Sequence, residues 1–290
     1  MFHIGILQLT QNLDDAVRGF KQKLDELQLS VRYTYRNVDG NVNLLSQAAA
    51  DLAAEGVDLI FACSTPSALA ARDLPGNIPV LFTPVFDPVS AGLVASLSAP
   101  GGKVTGMSGM VTADKKIQLI KDLLPSAKKL CVLVPASDQN SCIEMQNFRQ
   151  AAQGEFTLHE IVLDAASDIS LLEEKFSPED DALFLPIGRI IEENFSSIAY
   201  YAEAFNLPII ASHAPNVVMG ALGGLFADHA KLGAACAVQA EEILVQKKDP
   251  ATIAAGLPQD PDLLLNAFVA ENLDIEIPAS LMEKAKEIYR

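Results

Sequence analysis

Residues 57–93 constrain the fold more than any other stretch, because two short apolar runs there each end at a polar loop. The runs at residues 58–63 and 79–82 have the length and turn-rich flanks of strands that are buried on both faces. A polar loop at 64–67 and a helix-like run at 68–72 follow the first strand, and a loop at 83–90 and a helix-like run at 91–96 follow the second. This order is the βαβ pattern of a parallel sheet. Ligands of such sheets bind beyond the carboxyl ends of the strands, so both loops are candidate binding segments.

The same alternation extends along the chain and restarts after Gly109. The sequence predicts strands at 2–9, 31–36, 58–63, 79–82, 104–108, 130–134, 156–163, 182–185, 208–211, 220–226 and 263–266. It predicts helices at 13–28, 44–55, 115–123, 142–154, 169–176, 191–205, 232–246 and 279–289, with a loop at 212–217. We therefore predict an α/β protein of two doubly wound parallel-sheet lobes. Lobe 1 is expected to contain residues 1–112 plus 228–268, and lobe 2 residues 113–227 plus 269–290, with crossovers near 108–114, 223–228 and 268–278.

Composition narrows the class of partner. The 290 residues are 50% hydrophobic, which is enough material for two cores, and 37 acidic against 21 basic residues give a net charge of −16. Binding to nucleic acid rests largely on Lys and Arg at phosphates, so we expect no nucleic-acid partner. The same charge disfavours an anionic membrane surface, and we expect a monomer whose partner is a small molecule.

The amino terminus and the cysteines bear on location and cofactors. No apolar run reaches the length of a membrane span, and residues 1–3 lead directly into the first predicted strand without a secretory signal. The protein is then either cytoplasmic or a mature periplasmic or extracellular form whose signal has been removed. Cys63, Cys131, Cys142 and Cys236 show no CxxC spacing, so we predict no metal and no cofactor, with Cys131 and Cys236 as core residues.

Polar side chains gather at the predicted carboxyl ends of the strands. Most are hydroxyls or amides, a set that suits a small polar molecule held by hydrogen bonds and lacks the clustered His, Asp and Glu of a catalytic metal site. The predicted ligand-binding residues are Gln8, Thr10, Ser64, Thr65, Thr83, Asp87, Ser108, Ser137, Asp138, Asn140, Ser141, Arg189, Ser212, His213 and Asp228.

Several of these positions also have a purely structural interpretation. Ser64-Thr65-Pro66 is a helix start that can expose backbone amides to a ligand, and Asp87-Pro88 is a turn as well as a candidate contact. Arg189 follows a strand and is either a bidentate clamp for a carboxylate or a surface arginine. His213 is either an acid or base, or an ordinary loop histidine.

Cys63 raises the question of catalysis. Its place at a strand end resembles the first half-site of aspartate/glutamate racemase-like enzymes, which are two-lobed α/β proteins with one cysteine in each lobe. The corresponding second positions hold Ser212-His213 or Ile187-Gly188-Arg189, without a cysteine. A two-base proton transfer needs an opposing partner. We therefore predict that the protein is not an enzyme and keep a racemase-like use of Cys63 as an alternative.

An ordered set of motifs resembles the ABC-transporter substrate-binding protein family that includes tryptophan-binding TrpX-type lipoproteins. The matching segments are IGILQ at 4–8, VDLI at 57–60 with STP at 64–66, IPV at 78–80, FDPVSAGLV at 86–94, PGGKVTG at 100–106, LPSAKK at 124–129 and residues 266–278. The most specific pair is FDPVSAGLV followed by PGGKVTG. The resemblance covers nearly the whole chain in the right order.

This resemblance implies a type I periplasmic-binding fold, in which two lobes joined by a three-strand hinge close on a ligand in an interlobe cleft. It implies export, with delivery of the ligand to an ABC permease and its ATPase. Relatives bind amino acids, often aromatic ones. They carry an Asp-Asn-type pair where this chain has residues 186–190, PIGRI. If that pair holds the ammonium group of the ligand in relatives, the arginine in this chain would repel it. A carboxylate ligand without an ammonium group is therefore also expected. The alternative is a sensor domain of the same fold that feeds a signalling partner.

Overall fold

The computed structural model describes all residues 1–290 and divides into two compact units. Unit 1 comprises Met1–Met110 and Ala227–Gln259, and unit 2 comprises Val111–Phe226 and Asp260–Arg290. The first two boundaries lie at the predicted crossovers, whereas the third lies at residue 259 and not at 268. The reason is that the strand at residues 262–266 pairs inside the sheet of unit 2.

The first 110 residues alternate strands and helices. They form β1 (Phe2–Gln8), α1 (Asp14–Glu26), β2 (Val31–Asn37), α2 (Leu45–Ala54), β3 (Leu59–Cys63), α3 (Thr65–Arg72), β4 (Val80–Val85) and β5 (Val104–Ser108). The next segment forms α4 (Ala113–Leu123), β6 (Lys129–Pro135), α5 (Gln139–Ala152), β7 (Thr157–Leu163), α6 (Leu172–Lys175), β8 (Ala182–Leu185), α7 (Arg189–Glu193), α8 (Phe195–Ala204), β9 (Ile209–Ala211), α9 (Ala214–Val218) and β10 (Gly223–Phe226). The chain ends with α10 (His229–Leu244), β11 (Asp262–Asn266), α11 (Ala267–Asn272), α12 (Ala279–Lys284) and β12 (Glu287–Tyr289).

Each unit is built on one mostly parallel sheet. In unit 1 the strand order is β2-β1-β3-β4-β5, and every pair is parallel. In unit 2 the order is β12-β11-β10-β9-β8-β6-β7. The pair of β10 with β11 is antiparallel, and the other neighbouring pairs are parallel. The doubly wound α/β class predicted from the sequence is confirmed for both sheets.

Unit 1 packs α1 against α10 at very short range. The apolar stripe of α1 is buried, with Phe20 stacked on Phe61 of β3 at 4.0 Å between ring centroids. Gly19 and Gly233 lie where the two helices approach each other, and a Cβ on either would collide with a backbone carbonyl, of Ala230 or Ala16 respectively. The absence of these two side chains therefore sets the distance between the helices.

Unit 2 buries one apolar layer on each face of its sheet. On one face Phe148 of α5 stacks on Phe184 of β8, with 3.9 Å between ring centroids. On the other face Phe195 and Ile198 of α8 are fully buried against the strands. The strands lie between these two apolar layers, and the polar loops that hold the predicted ligand-binding residues begin at their carboxyl ends.

Three predicted helices differ from the structure. Residues 91–96 form turns, because Leu93 N and Val94 N donate to Pro88 O and Gly92 takes a φ of 69° that ends any helix. The helix predicted at 191–205 is two helices, α7 and α8, interrupted at Asn194. The closing helix predicted at 279–289 ends at Lys284, and β12 then pairs with β11.

Two shorter predictions are also corrected. The loop predicted at 212–217 contains α9, and residues 169–176 are a 3-10 turn that continues into the four-residue α6. The crossover expected at 268–278 contains α11, which Asn266 caps by accepting from Val269 N at 3.1 Å. No helix of the protein has both the length and the apolarity that crossing a bilayer requires.

Candidate functional site

Ser64 stands directly after β3 and has a strained backbone. Its φ of 106° and ψ of 158° lie in a region that residues with a side chain rarely occupy. The Ser64 hydroxyl accepts weakly from Ser67 N at 3.4 Å and lies 2.9 Å from Ser67 Oγ, so it caps α3. Thr65 begins the helix, with Pro66 in the first turn. Strain of this kind occurs preferentially at binding and catalytic sites, and here it turns the start of α3 at the carboxyl end of β3.

Thr83, Asp87 and Ser108 shape the neighbouring loops of unit 1. Thr83 is fully buried, and its carbonyl accepts from Ser64 N at 3.2 Å, so this hydrogen bond stabilises the strained turn at Ser64. Asp87 uses both carboxylate oxygens locally, accepting from Ser90 N at 3.0 Å and from Ser90 Oγ at 2.6 Å. Ser108 donates to Phe86 O at 2.7 Å. The structure therefore gives these three predicted residues a role in loop geometry.

Gln8 lies at the carboxyl end of β1 and borders a cavity. The Gln8 amide donates to Asp14 Oδ1 at 2.9 Å. Thr10, two residues further along the chain, is half-buried. The cavity has a volume of about 630 Å³ and lies along α1 and β2. It is lined by Gln8, Gln11, Asp14, Val17, Arg18, Lys21, Gln22, Asp25, Tyr35 and Asn37.

Sequence reasoning missed most of this cavity. Lys21 Nζ lies 5.1 Å from the ring centroid of Tyr33 and 5.6 Å from that of Tyr35, which is cation–π range. Tyr35 is 44% exposed. The alternation of tyrosines along β2 is the sequence signal for this cavity, because it puts Tyr33 and Tyr35 on one face of the strand.

In unit 2 the loops after β6 and β8 are joined by Ser141. Asp138 caps α5 by accepting from Ser141 N at 3.0 Å, and the fully buried Ser141 hydroxyl donates to Ile187 O. Gly188 has a φ of 148°, and a Cβ there would collide with Ser141 Oγ. Ser137 and Asn140 flank this junction and are exposed. Four predicted residues therefore lie at one carboxyl edge of the unit 2 sheet.

A buried ion pair lies beneath this edge. Lys116 of α4 and Glu144 of α5 are 5% and 4% exposed, and their charged groups are in direct contact. Glu144 also accepts from Ile187 N at 2.7 Å and from Ser212 Oγ at 2.5 Å, and Lys116 Nζ donates to Ser212 Oγ at 3.0 Å. The pair thereby holds together the ends of β8 and β9 and two helices. Ser212, predicted as a ligand contact, is part of this network.

Lys116 and Glu144 were not predicted. Each lies among apolar positions of its helix, Lys116 beside Ile117 and Glu144 beside Met145, and both of those neighbours are buried. A charge on the buried face of a predicted amphipathic helix is a detectable signal, because such a group requires a partner.

Three further predicted residues lie outside the Ser64 turn and the Ser141 junction. The Arg189 side chain is 84% exposed, and Nε lies 3.6 Å from Glu193 Oε1, a surface contact of little energetic weight. His213 precedes α9, with Nδ1 3.4 Å from Asn216 Oδ1. Asp228 belongs to unit 1 and caps α10 by accepting from Ala230 N at 2.8 Å.

Cys63 does not have the surroundings of a catalytic thiol. It is fully buried, and burial raises the pKa of its thiol well above the ordinary value. A nucleophilic or proton-transferring cysteine needs the thiolate, which burial in an apolar layer disfavours. The racemase-like alternative therefore gains no support from the geometry.

Comparison with known proteins gives a consistent result over the whole chain. A family described as "ABC transporter substrate binding protein" matches residues 3–289. A tyrosine-binding protein of Clostridioides difficile (strain R20291) is 31% identical over 281 residues, which cover 94% of this chain and 81% of that protein.

Solved structures agree with that match. The ligand-free, open form of a substrate-binding protein with adhesive properties from Clostridium difficile is similar with a TM-score of 0.91 and 28% identity, covering 100% of this chain and 99% of that one. A domain from Streptococcus pneumonia in complex with L-Trp has a TM-score of 0.77 and 26% identity, with 99% of each chain covered.

Proposed function

The chain belongs to the ABC transporter substrate-binding protein family, and we propose that it is the solute-binding component of an importer for an amino acid with an aromatic side chain. Its fold is that of the type I periplasmic-binding proteins. The observation that carries the proposal is the match over residues 3–289, together with a 31% identical relative that is named a tyrosine-binding protein.

The ligand would contact polar groups at the strand ends described above. In unit 1 the positive end of α3 at Ser64 and Thr65 suits a carboxylate, since the first turn of a helix presents backbone amides and a favourable dipole. In unit 2 the junction of Ser141 with residues 186–190 is the corresponding polar edge. Arg189 is proposed as an additional partner of the carboxylate, for which its exposed guanidinium is available.

The ligand class follows from the relatives and from this carboxylate-binding chemistry. One relative is named for tyrosine and one structure contains L-Trp. We propose L-tyrosine and L-tryptophan as the first candidates, and aromatic carboxylates without an ammonium group as the second class, because PIGRI at 186–190 puts Arg189 at a position where an ammonium would be repelled.

The remaining parts of the transport assignment are proposals of the same kind. We propose that the protein works outside the cytoplasm as a monomer and delivers its ligand to an ABC permease with an ATPase. It would do so by binding alone, without a reaction of its own.

A thermal-shift screen tests the proposed function. Each natural amino acid and a set of aromatic carboxylates would be added to the purified protein after any bound ligand has been removed. A ligand present at 100 times its dissociation constant adds about 2.7 kcal/mol to the free energy of unfolding, which is a clear rise in Tm. We expect a rise with L-tyrosine or L-tryptophan and none with the D-enantiomers. If neither an aromatic amino acid nor any aromatic carboxylate raises Tm, the proposed function is wrong.

A further inference from the structure

Unit 2 contains a cluster of metal-ligating side chains away from the proposed ligand residues. It consists of Cys131, His159 and Asp180, whose candidate ligand atoms all lie within 4.8 Å of one another. Cys131 and His159 are partners in the register of β6 and β7, and Asp180 lies two residues before β8. The cluster therefore lies in the amino-terminal half of the strands, whereas the proposed ligand contacts follow their carboxyl ends.

Asp180 carries an oxygen that the protein leaves without a hydrogen bond. Its Oδ2 lies 2.7 Å from His159 Nδ1 and accepts from Ser177 N at 3.0 Å. Its Oδ1 is buried and has no hydrogen-bond partner, although Lys129 Nζ lies 3.5 Å away. Asp180 is 7% exposed, and a carboxylate buried in this way requires positive charge nearby. Lys129 supplies that charge at ion-pair distance without a hydrogen bond to Oδ1, and a metal ion would contact the oxygen directly.

The donor set selects the kind of cation. A thiolate, an imidazole and a carboxylate are the ligands that proteins use for Zn²⁺, whereas Mg²⁺ and Ca²⁺ prefer oxygen alone. Ligand atoms of a tetrahedral zinc site lie roughly 3.2–3.8 Å apart. Small side-chain rotations would bring three atoms within 4.8 Å to that spacing. The His159 side chain is 29% exposed, so this ligand of the cluster is accessible to solvent.

We propose that Cys131, His159 and Asp180 bind one Zn²⁺ ion. Cys131 is as buried as Cys63, but a coordinating metal ion deprotonates a thiol outright, so here the ion replaces the thiol proton. Binding forms a Zn–S bond, releases the thiol proton of Cys131 to solvent and leaves His159 neutral, so the charges of the thiolate, the carboxylate and the ion sum to zero in a buried place. Lys129 then leaves Asp180 and keeps its pairing with Glu179, which lies 3.1 Å from Nζ. The ion ties β6, β7 and the loop before β8 together. This proposal does not depend on the proposed transport function.

The sequence gives no sign of such a site because its ligands come from two strands and from the loop before a third. The intervals between residues 131, 159 and 180 match no compact zinc motif, and Cys131 was predicted to be an ordinary core residue. Only the parallel register of β6 with β7 and β8 brings the three residues together.

Titration of the full-length reduced protein with Co²⁺ and Zn²⁺ tests the proposal. We expect a thiolate-to-cobalt charge-transfer band that saturates at one ion per chain, and added Zn²⁺ should displace the cobalt and remove the band. Competition with a chromophoric chelator measures the zinc affinity. Cys131→Ser should abolish the band and weaken zinc binding at least tenfold. Cys142→Ser is the matched control. The Cys142 thiol lies on α5 and donates to the Pro135 and Ala136 carbonyls at the end of β6, so this substitution should leave both readouts unchanged.

A second variant keeps the test decisive if Cys131→Ser fails to fold. His159 is partly exposed, and His159→Gln should fold and still lose at least tenfold in zinc affinity. The proposal is overturned if the wild-type protein binds no zinc, or if the cobalt band appears without Cys131, or if His159→Gln binds zinc as tightly as the wild type.

Discussion

Ser64 has a backbone conformation that suits glycine better than serine, and its side chain is retained at an energetic cost. A φ of 106° costs about 1–3 kcal/mol for a residue with a Cβ. The hydroxyl compensates only in part, through its bonds to Ser67. We interpret the residue as held for ligand contact and not for stability.

Two substitutions at Ser64 separate these contributions. Ser64→Gly should relieve the strain and raise the free energy of unfolding by about 1 kcal/mol, while weakening ligand affinity. Ser64→Ala keeps the strain and removes the cap, so it should lower the free energy of unfolding by about 0.5–2 kcal/mol. Urea unfolding of the two variants checks this, and equal stability of both would refute the strain argument.

Glu144 is the residue on which the unit 2 edge depends. Glu144→Gln preserves shape and can still accept from Ile187 N, but it leaves the Lys116 ammonium buried without a counter-charge. We expect a loss of about 3–5 kcal/mol in the free energy of unfolding.

The exposed pair of Lys121 and Glu155, 42% and 45% exposed, provides the control for that substitution. Glu155→Gln should cost less than about 1 kcal/mol. Equal costs for Glu144→Gln and Glu155→Gln in the same chemical denaturation would mean that the buried pair does not support the edge.

At the scale of elements, the contact of α1 with α10 depends on two missing side chains. Gly233→Ala would place a Cβ against the Ala16 carbonyl, so the helices must separate, at about 1–3 kcal/mol. Gly102→Ala is the control, because nothing lies within 4 Å of a Cβ there, and it should change stability by less than about 0.5 kcal/mol. Thermal unfolding of both variants is the measurement, and equal Tm values for Gly233→Ala and Gly102→Ala would contradict the close helix contact.

Elements with their own local signal were predictable from sequence. The apolar runs of β3 and β4 and the capped start of α3 placed these three elements and the loop between β3 and α3 correctly, and the binding role of that loop stays a prediction. β12 was not predictable, because its three residues become a strand only through pairing with β11. The break at Asn194 between α7 and α8 was missed because residues on both sides favour a helix.

The candidate site divides in the same way. Asp138 and Asp228 were predicted as ligand contacts because they follow strands; the structure shows that both cap helices, and their contact with a ligand stays a prediction. The Lys116–Glu144 pair was missed because its partners are 28 positions apart and only the fold brings them into contact. The cavity beside Tyr35 also arises only when α1 lies along β2.

At the scale of the whole molecule, His229 couples stability to pH. Burial lowers the pKa of His229 in the folded state, against the opposing influence of Asp15 and Asp228. A base whose folded pKa is lowered contributes fully above its unfolded pKa of about 6.5, and the contribution is lost as pH falls through the folded value. We expect the free energy of unfolding to fall as pH drops below about 6.5, and His229→Gln to flatten this fall.

Carboxylates change the free energy of unfolding at more acidic pH than histidine does, so their effect can be separated from that of His229. The Arg149 guanidinium lowers the pKa of Glu160, so the stabilisation from that pair is lost only at more acidic pH. Denaturant midpoints at several pH values are the measurement. An identical slope below about pH 6.5 in the wild type and in His229→Gln would rule out the histidine as the cause.

The claim on which the account rests is that this chain binds an aromatic amino acid. Isothermal titration calorimetry of the ligand-stripped protein with L-tyrosine, and in parallel with L-tryptophan, measures it directly. We predict saturable binding with one ligand per chain for at least one of the two, weakened by Ser64→Ala. The absence of saturable binding of both amino acids, in protein shown to be folded, would contradict the account.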